Sequence, residues 1–385
     1  MLIAIPAFLV VISIVIVFHE LGHYWVARLF KTKIDAFSIG FGPRLFGWVD
    51  RLGTEWKVCA LPLGGYVKFH GDAHAASAPD RERLEEIKQK IRSEGVDPHS
   101  ILHFKPVWQR ALVVFAGPFA NFVLALVLLT GIYSILGEPS YPVIIAKVLP
   151  NTPAQAAGLQ PGDQIIAISG WKVYSFTDVT MQVSTSPGKS LTFAIKRGNA
   201  VFDRVIKLQP KQITYDEFGR QRVMRGGQLG IERTEITQAQ VTMVHHDPIT
   251  AAARGIEFIV LNLRATYWYL GDVLAGRSAP DQLGGTVRIA AYSGKMASSG
   301  PFAFTIFIAF ISVCVGVINL FPIPVLDGGH LLFYAIEAIQ GRPLSHQVQE
   351  IGFRIGLVLI VALFIFVTWN DIIYLLPGSS KPGSP

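Results

Sequence analysis

The sequence HELGH at residues 19–23 has the residue types and spacing of a metal-dependent hydrolytic site. On a helix, positions i and i+4 lie on one face, so His19 and His23 can present two imidazoles to one metal ion. Glu20 follows the first histidine, where its carboxylate can take a proton from a water molecule that the metal activates. The alternative is a pair of interfacial histidines that face water at a helix end. Ionisable groups inside an apolar segment are costly, which favours the metal site.

A catalytic zinc site needs a third protein ligand and an open position. The segment NLFPIPVLDGGH at residues 319–330 supplies the candidates. Pro322 and Pro324 must interrupt a helix there, and a carboxylate at a break within a membrane segment is costly unless it binds something. We therefore predict Asp327 as the third ligand, with His330 as the alternative. Two histidines, one carboxylate and an open position favour one Zn²⁺ ion.

Long apolar runs supply the elements that must position these side chains. The chain has 385 residues, of which only 16% are charged, whereas soluble domains usually carry about 25%. Four apolar segments are long enough to cross a bilayer, which takes ~20 residues. They lie at about residues 2–29, 109–136, 302–321 and 354–376. The first has no basic region before it and no small-residue cleavage site after it, so we interpret it as a retained helix rather than a signal peptide.

The distribution of basic residues predicts the orientation. The N-terminal tip is uncharged, and basic residues follow the first helix at Arg28, Lys31, Lys33, Arg44, Arg51, Lys57 and Lys68. This places residues 31–108 in the cytoplasm and both termini outside. His19 then lies about 25 Å along the first helix at ~1.5 Å per residue. Asp327 also lies on the cytoplasmic side, since its segment runs inward, so the three ligands can meet.

The segments between the apolar runs differ in character. Glycine-punctuated, aromatic-rich sequence after residue 31 predicts hairpins that lie against the membrane. The stretch PDRERLEEIKQKIRSEG at 79–95 predicts a solvated helix, residues 141–232 a small mixed domain, and residues 378–385 a disordered tail. The two cysteines, Cys59 and Cys314, support neither a disulfide framework nor a cysteine metal site. The net charge of +7 has a topological explanation, so no nucleic-acid partner is predicted.

The motifs together resemble the site-2 protease family, close to its bacterial regulator of sigma-E branch. An HExxH sequence in a first membrane helix and a distant LDG sequence are the family's signature. GFGP at 40–43 and PLGGYVK at 62–68 are similar to its membrane-associated β-loop, and AGPFAN at 116–121 to its second-helix motif. NLFPIPVLDGGHLLF at 319–333 and WND at 369–371 extend the resemblance over nearly the whole chain.

The resemblance implies a polytopic α-helical membrane protein with four transmembrane helices, a membrane-associated β-loop and one external PDZ-like α/β domain. Its parts are 1–30, helix 1; 31–108, β-loop and charged helix; 109–137, helix 2; 138–235, PDZ-like domain; 236–300, amphipathic return segment; 301–330, helix 3; 331–350, cytoplasmic connection; 351–377, helix 4; and 378–385, tail. The family's well-known proteobacterial members carry two PDZ domains, whereas this chain has sequence for one, which puts a two-domain filter in doubt.

The resemblance also assigns residues and partners. It implies that His19, His23 and Asp327 bind zinc and that Glu20 is the catalytic base. Asn319 is expected near the substrate backbone or the developing oxyanion, or as a helix cap, and Asn121 faces substrate or joins two helices. The implied substrate-binding residues are Gly40, Phe41, Gly42, Gly64 and Gly65 in the β-loop and Leu229, Gly230 and Ile231 in the PDZ-like domain.

The implied activity is hydrolysis of peptide bonds in or near the span of single-span membrane proteins in the bacterial inner membrane. Anti-sigma factors and signal-peptide remnants are the expected substrates, and the PDZ-like domain either binds a peptide C-terminus or extended peptide or sterically excludes large external domains. Two other classes stay open. A membrane zinc transporter would be expected to show repeated halves, which this sequence lacks, and a PDZ-bearing scaffold would not need Glu20.

Overall fold

A computed structural model describes residues 3–71, 100–217, 220–237, 240–278, 280 and 284–375. The predicted charged helix at 79–95 and the predicted tail lie outside these residues. The chain divides into two compact units. The first comprises Met1–Leu126 and Gly284–Leu375, and the second comprises Val127–Leu283.

The helices are α1 (Ala4–Leu29), α2 (Val107–Ile135), α3 (Pro153–Ala156), α4 (Phe176–Ser184), α5 (Pro248–Leu274), α6 (Thr286–Ser298), α7 (Pro301–Asn319), α8 (Asp327–Gln340) and α9 (His346–Leu375). The strands are β1 (Ile34–Val49), β2 (Glu55–Phe69), β3 (Glu138–Ser140), β4 (Val143–Val148), β5 (Gln164–Ile168), β6 (Trp171–Lys172), β7 (Ser190–Arg197), β8 (Ala200–Lys207), β9 (Gln209–Glu217), β10 (Arg220–Gln228), β11 (Ile231–Arg233) and β12 (Thr242–Val244). A short 3₁₀ turn covers Leu102–Phe104.

Each predicted apolar segment contains one long helix. In the described part of the chain, four helices are long and apolar enough to cross a membrane: Ala4–Leu29, Val107–Ile135, Pro301–Asn319 and Gln347–Ile373. Many of their large apolar side chains are exposed, among them Trp25, Val127 and Phe364. Such surfaces are unfavourable in water and are what a helix facing lipid requires.

The part predicted as helix 3, residues 301–330, is interrupted at the two prolines. Helix α7 stops at Asn319, and Asp327 begins the separate helix α8, so the predicted cytoplasmic connection is largely helical. The two prolines cannot continue α7, and the chain turns back on itself. A Cβ atom on Gly328 or Gly329 would lie closer than 3.0 Å to backbone atoms of this turn. The glycines therefore permit the tight turn that presents Asp327.

Strands β1 and β2 form a curled hairpin in the first unit. Phe37 lies opposite both Val67 and Trp56, because the first half of β1 pairs with two parts of β2. In the described residues, the end of β2 at Gly65–Phe69 pairs with a strand on one side only. The far end of the hairpin exposes apolar side chains, including Leu45, Phe46, Trp48 and Leu52. This surface fits the predicted membrane-associated β-loop.

The second unit is built on a sheet with strand order β11-β4-β5-β7-β8, with β6 paired to β5. Its core contains the buried residues Ile145, Ile165, Phe193 and Ile195. Strands β9 and β10 form a separate antiparallel hairpin. In the turn before β5, the pKa of Asp163 lies below its usual value because Arg197 donates two hydrogen bonds to it. This pair joins the turn to the end of β7.

A buried polar cluster lies within the second unit. Arg254 of α5 donates hydrogen bonds to Glu138 of β3, to Asp178 of α4 and to Glu257 one turn along its own helix. Glu257 also accepts a hydrogen bond from Gln182 of α4. Three carboxylates thus share one guanidinium, although His246 contacts Glu138 as well. Burial raises the pKa of Glu257 to about 7.

We expect Glu257 to make the stability of the second unit fall as pH rises. Its pKa is about 7 in the folded chain against 4.5 in the unfolded chain, so the folded state holds an extra proton between these values. The resulting stabilisation is complete below pH 4.5 and is lost as pH rises through 7, an effect of order 1–3 kcal/mol. The variant Glu257→Gln cannot titrate and lacks this dependence.

Thermal unfolding of the full-length protein in detergent, followed at pH 5.5 and pH 8, measures this difference. The wild type is expected to lose more stability across this range than Glu257→Gln. An equal loss of stability in the two proteins would show that Glu257 does not hold the extra proton of the folded state.

Candidate metal and active site

The structure brings together the three side chains that the sequence analysis named as metal ligands. His19 and His23 lie one turn apart on α1, and Asp327 is the first residue of α8. Nε2 of His19 lies 3.1 Å from Oδ2 of Asp327, and Nε2 of His23 lies 3.6 Å from Oδ1. The two Nε2 atoms are 3.2 Å apart. In the described residues, this is the one group of three that could hold a metal ion.

These distances suit a zinc ion. Zinc bonds of 2.0–2.2 Å in tetrahedral geometry separate the ligand atoms by roughly 3.3 Å, close to the observed 3.1–3.6 Å. Oδ2 of Asp327 is buried without a hydrogen bond. Such close contact between two imidazole nitrogens and a carboxylate is favourable when a cation lies between them. The residues present therefore fit the metal.

A cavity of about 220 Å³ opens beside the three ligands. Glu20 lines it, next to His19 and His23. Strand β2 approaches Glu20 closely, since a Cβ atom on Gly65 would lie 3.3 Å from the Glu20 Cγ atom, and the backbone amide of Val67 interacts with the carboxylate. The further polar residues that line the cavity are Tyr66, His103, Asn319, His330 and Tyr334. The three candidate ligands, the Glu20 carboxylate and an edge strand thus line one cavity.

Helix α2 fixes both histidine rings. The carbonyl of Val113 accepts a hydrogen bond from Nδ1 of His23 at 2.9 Å. A Cβ atom on Gly117 would lie closer than 3.0 Å to both histidine rings. A Cβ atom on Gly22 would collide with the backbone of Ala116 in the same way. Two glycines therefore allow α1 and α2 to approach closely at the level of the metal ligands.

The predicted substrate-binding residues of the β-loop lie at different places. Gly65 lines the catalytic cavity. Gly40 and Gly42 have positive φ angles of +89° and +85°, where the strand bends. Phe41 packs against Gly64, since a Cβ atom there would meet its ring. Only Gly65 among these five lies beside the ligands.

Two other predictions concern residues around the proline break. Asn319 ends α7 and lines the cavity. His330, the alternative third ligand, also lines the cavity, but Asp327 is the residue that contacts both histidines. The geometry therefore favours Asp327 over His330.

The remaining predicted substrate-binding residues, Leu229, Gly230 and Ile231, line a groove in the second unit. The groove has a volume of about 510 Å³. Its opposite wall is α4, which contributes Phe176, Val179 and Val183. Gly230 has a φ angle of +88°. An apolar groove between a helix and a strand can accept an extended peptide.

Sequence reasoning did not assign Gly117 to the site. The signal was present in AGPFAN, because Gly117 and Asn121 are four residues apart and share one helix face. His103, Tyr66 and Tyr334 were also missed. They come from three distant segments, and no spacing in the sequence connects them to HELGH.

Comparison with known proteins identifies the family. Residues 7–363 match the model of Peptidase family M50. Relatives named as zinc metalloproteases include one from Agrobacterium fabrum, 41% identical and covering 96% of this chain and 95% of the relative. One from Rhizobium meliloti is 42% identical with 96% of each chain covered. Metalloprotease MmpA of Caulobacter vibrioides is 37% identical, again with 96% of each chain covered.

A site with two histidines, an aspartate and a nearby glutamate, carried by apolar helices, is typical of membrane zinc metalloproteases. The chain belongs to peptidase family M50, and it is a multi-pass membrane protein with a zinc cofactor. The resemblance to site-2 proteases is confirmed.

Two solved structures are similar to part of the chain. They are PDZ domains of SdrC-like proteins from Listeria monocytogenes and Listeria innocua, each 23% identical to this chain. The first covers 24% of this chain and 85% of its own, with a TM-score of 0.19. The second covers 27% and 99%, with a TM-score of 0.20.

Proposed function

We propose that this protein is an intramembrane endopeptidase that cuts single-span membrane proteins in or next to their transmembrane segment. The strongest support is that His19, His23 and Asp327 meet beside Glu20, with both histidines on a helix apolar enough to cross a membrane. A soluble protease would not need to build its metal ligands into such helices, where charged groups are costly.

In this proposal, Glu20 is the general base. Its carboxylate accepts a proton from the attacking water and returns it to the amide nitrogen that leaves. His19, His23 and Asp327 would hold a zinc ion, which would supply the Lewis acidity that polarises a carbonyl and lowers the pKa of water. Asn319 lines the same cavity, where its side-chain amide can donate a hydrogen bond to the substrate backbone or to the developing oxyanion.

The substrate must be extended when it is cut, because a helix hides its carbonyls in internal hydrogen bonds. The end of β2 offers a template for the extended form. In the described residues, Gly65–Phe69 has a partner strand on one side, and Gly65, Tyr66 and Val67 line the catalytic cavity. A substrate segment that pairs with this edge would lie beside Glu20 with its peptide groups exposed.

We further propose that residues 138–235, within the second unit, form a PDZ-like domain on the outer side of the bacterial inner membrane. The groove between α4 and Leu229–Ile231 supports extended peptide binding, and steric exclusion of large external domains is its alternative role. Thr180 is exposed at the groove, so Thr180→Arg separates the two roles. If the groove binds peptide, Thr180→Arg lowers the affinity for an apolar C-terminal peptide. If the domain acts only by steric exclusion, the variant and the wild type do not differ in this affinity.

We also propose how the protein is oriented in the membrane and which substrates it cuts. Four apolar helices in the described residues support four spans, and the basic residues after α1 support an orientation with both termini outside and the catalytic cavity towards the cytoplasm. Anti-sigma factors already trimmed by another protease, and signal-peptide remnants, have the single span and short external part that such a site can admit.

Reconstitution in liposomes with two matched single-span peptides tests the proposal. One peptide carries an uninterrupted Leu/Ala span, and the other carries two helix-breaking residues at its cytoplasmic end. We expect cleavage within or next to the span, located by mass spectrometry, and at least about tenfold faster cleavage of the second peptide because its carbonyls are exposed. Cleavage confined to soluble segments, or zinc movement across the liposome without cleavage, would contradict it.

A further inference from the structure

Asn121 of α2 makes a contact that interhelical packing alone does not explain. Its side chain is completely buried. The carboxamide Nδ2 atom lies 3.2 Å from Nδ1 of His19, on the side of the ring away from Asp327. The carboxamide oxygen has no hydrogen-bond partner in the described part of the chain. The hydrogen-bonding role of His19 Nδ1 therefore decides which atom of the amide faces the ring.

The ring in turn has its protonation pattern set by the metal. A histidine nitrogen that binds a cation must offer its lone pair, and Nε2 of His19 is the atom that faces His23 and Asp327. A neutral imidazole carries one proton, so this proton must be on Nδ1, which becomes a donor. Its neighbour must then be an acceptor. A 180° rotation of the Asn121 amide places the carboxamide oxygen opposite Nδ1.

We propose that Asn121 is a positioning residue for the zinc site: its side-chain oxygen accepts a hydrogen bond from Nδ1 of His19 and holds the ring in the metal-binding tautomer. Partners of this kind orient ligands and raise their basicity. The inference rests on the zinc site assigned above.

Helix α2 supplies the same kind of partner to both histidines. Val113 accepts from His23 through its backbone carbonyl, and Asn121 serves His19 through its side chain. These residues and Gly117 are four apart, so one face of α2 carries both acceptors and the gap that admits the rings. Ser312 of α7 donates to the Asn121 carbonyl at 2.8 Å, which holds this face of α2 in place.

Zinc affinity, measured by competition with a chromogenic chelator on the purified full-length protein, tests the proposal. Asn121→Leu has similar volume but no acceptor, and we expect zinc to bind 10–100-fold more weakly. Asn121→Asp keeps an acceptor at the same place and is expected to retain wild-type affinity. Asn262→Leu makes the same change at a buried asparagine of α5 and is the control, with unchanged zinc affinity expected.

The outcomes separate this inference from the function proposed above. If Asn121 only joins helices, Asn121→Leu lowers the unfolding temperature but binds zinc as the wild type does, which would overturn the inference. Weak binding in Asn121→Asp would also overturn it. If the wild type holds no zinc, the metal site itself fails, and both proposals fall together. Weak binding in Asn121→Leu with wild-type binding in Asn121→Asp supports the positioning role.

Discussion

The variant Glu20→Gln is expected to lower kcat/KM for a single-span substrate by about 10²–10⁴-fold, the usual contribution of a general acid–base group. Glutamine has nearly the same shape but cannot accept the proton of the attacking water. Zinc binding should survive, because Glu20 lies in the cavity beside the three ligands and is not one of the group itself. The measurement is cleavage by purified protein, with zinc content determined on the same samples.

Glu257→Gln provides the matched control for this change. It makes the same substitution at a buried glutamate of the second unit, so it reports any general effect of replacing a carboxylate. We expect its kcat/KM to match that of the wild type, because Glu257 does not line the catalytic cavity. Equal cleavage by Glu20→Gln and the wild type would contradict the assignment of Glu20 as the base.

The variant Gly117→Ala is expected to lose most activity and most bound zinc. The added methyl group would lie closer than 3.0 Å to the rings of His19 and His23, so the rings must move or α1 and α2 must separate. A displacement of about 1 Å at a catalytic site can cost 10²-fold in rate. We therefore expect at least about 10²-fold lower kcat/KM, together with substoichiometric zinc.

Gly131→Ala is the control for the glycine variant. Gly131 lies on the same helix, and a Cβ atom there would meet nothing within 4 Å. Alanine favours the helix slightly at such a position, so wild-type activity and zinc content are expected. Full zinc and full activity in Gly117→Ala would show that α2 does not press against the ligands as described.

The meeting of His19, His23 and Asp327 could be predicted because these residues belong to local sequence patterns. HELGH places two imidazoles and a carboxylate on one helix turn, and the PIP and DGG sequences mark a break that presents Asp327. The apolar segments were also predictable, since roughly 20 apolar residues in a row have few other uses. The ends of the helices were less predictable from the sequence. The third helix stops at Asn319, so the predicted part 301–330 contains the end of one helix, the proline break and the start of the next helix.

Features that depend on contact between distant segments could not be predicted from spacing. The close approach of Gly117 to both histidines requires the packing of α1 on α2, which the sequence does not specify. The role of Asn121 stayed open between a substrate contact and an interhelical bond, because a single asparagine carries no directional signal. The buried cluster around Arg254 joins residues from β3, α4 and α5, and its members look like ordinary surface charges in the sequence.

Zinc K-edge X-ray absorption on the purified protein tests the central claim most directly, with Asp327→Asn and His19→Ala as comparison samples. We expect about one zinc per wild-type chain, nitrogen and oxygen ligands that include two imidazole rings, and weak zinc binding in both variants. A sulfur ligand, zinc occupancy that is independent of His19 and Asp327, or a wild type that holds no zinc would contradict the site.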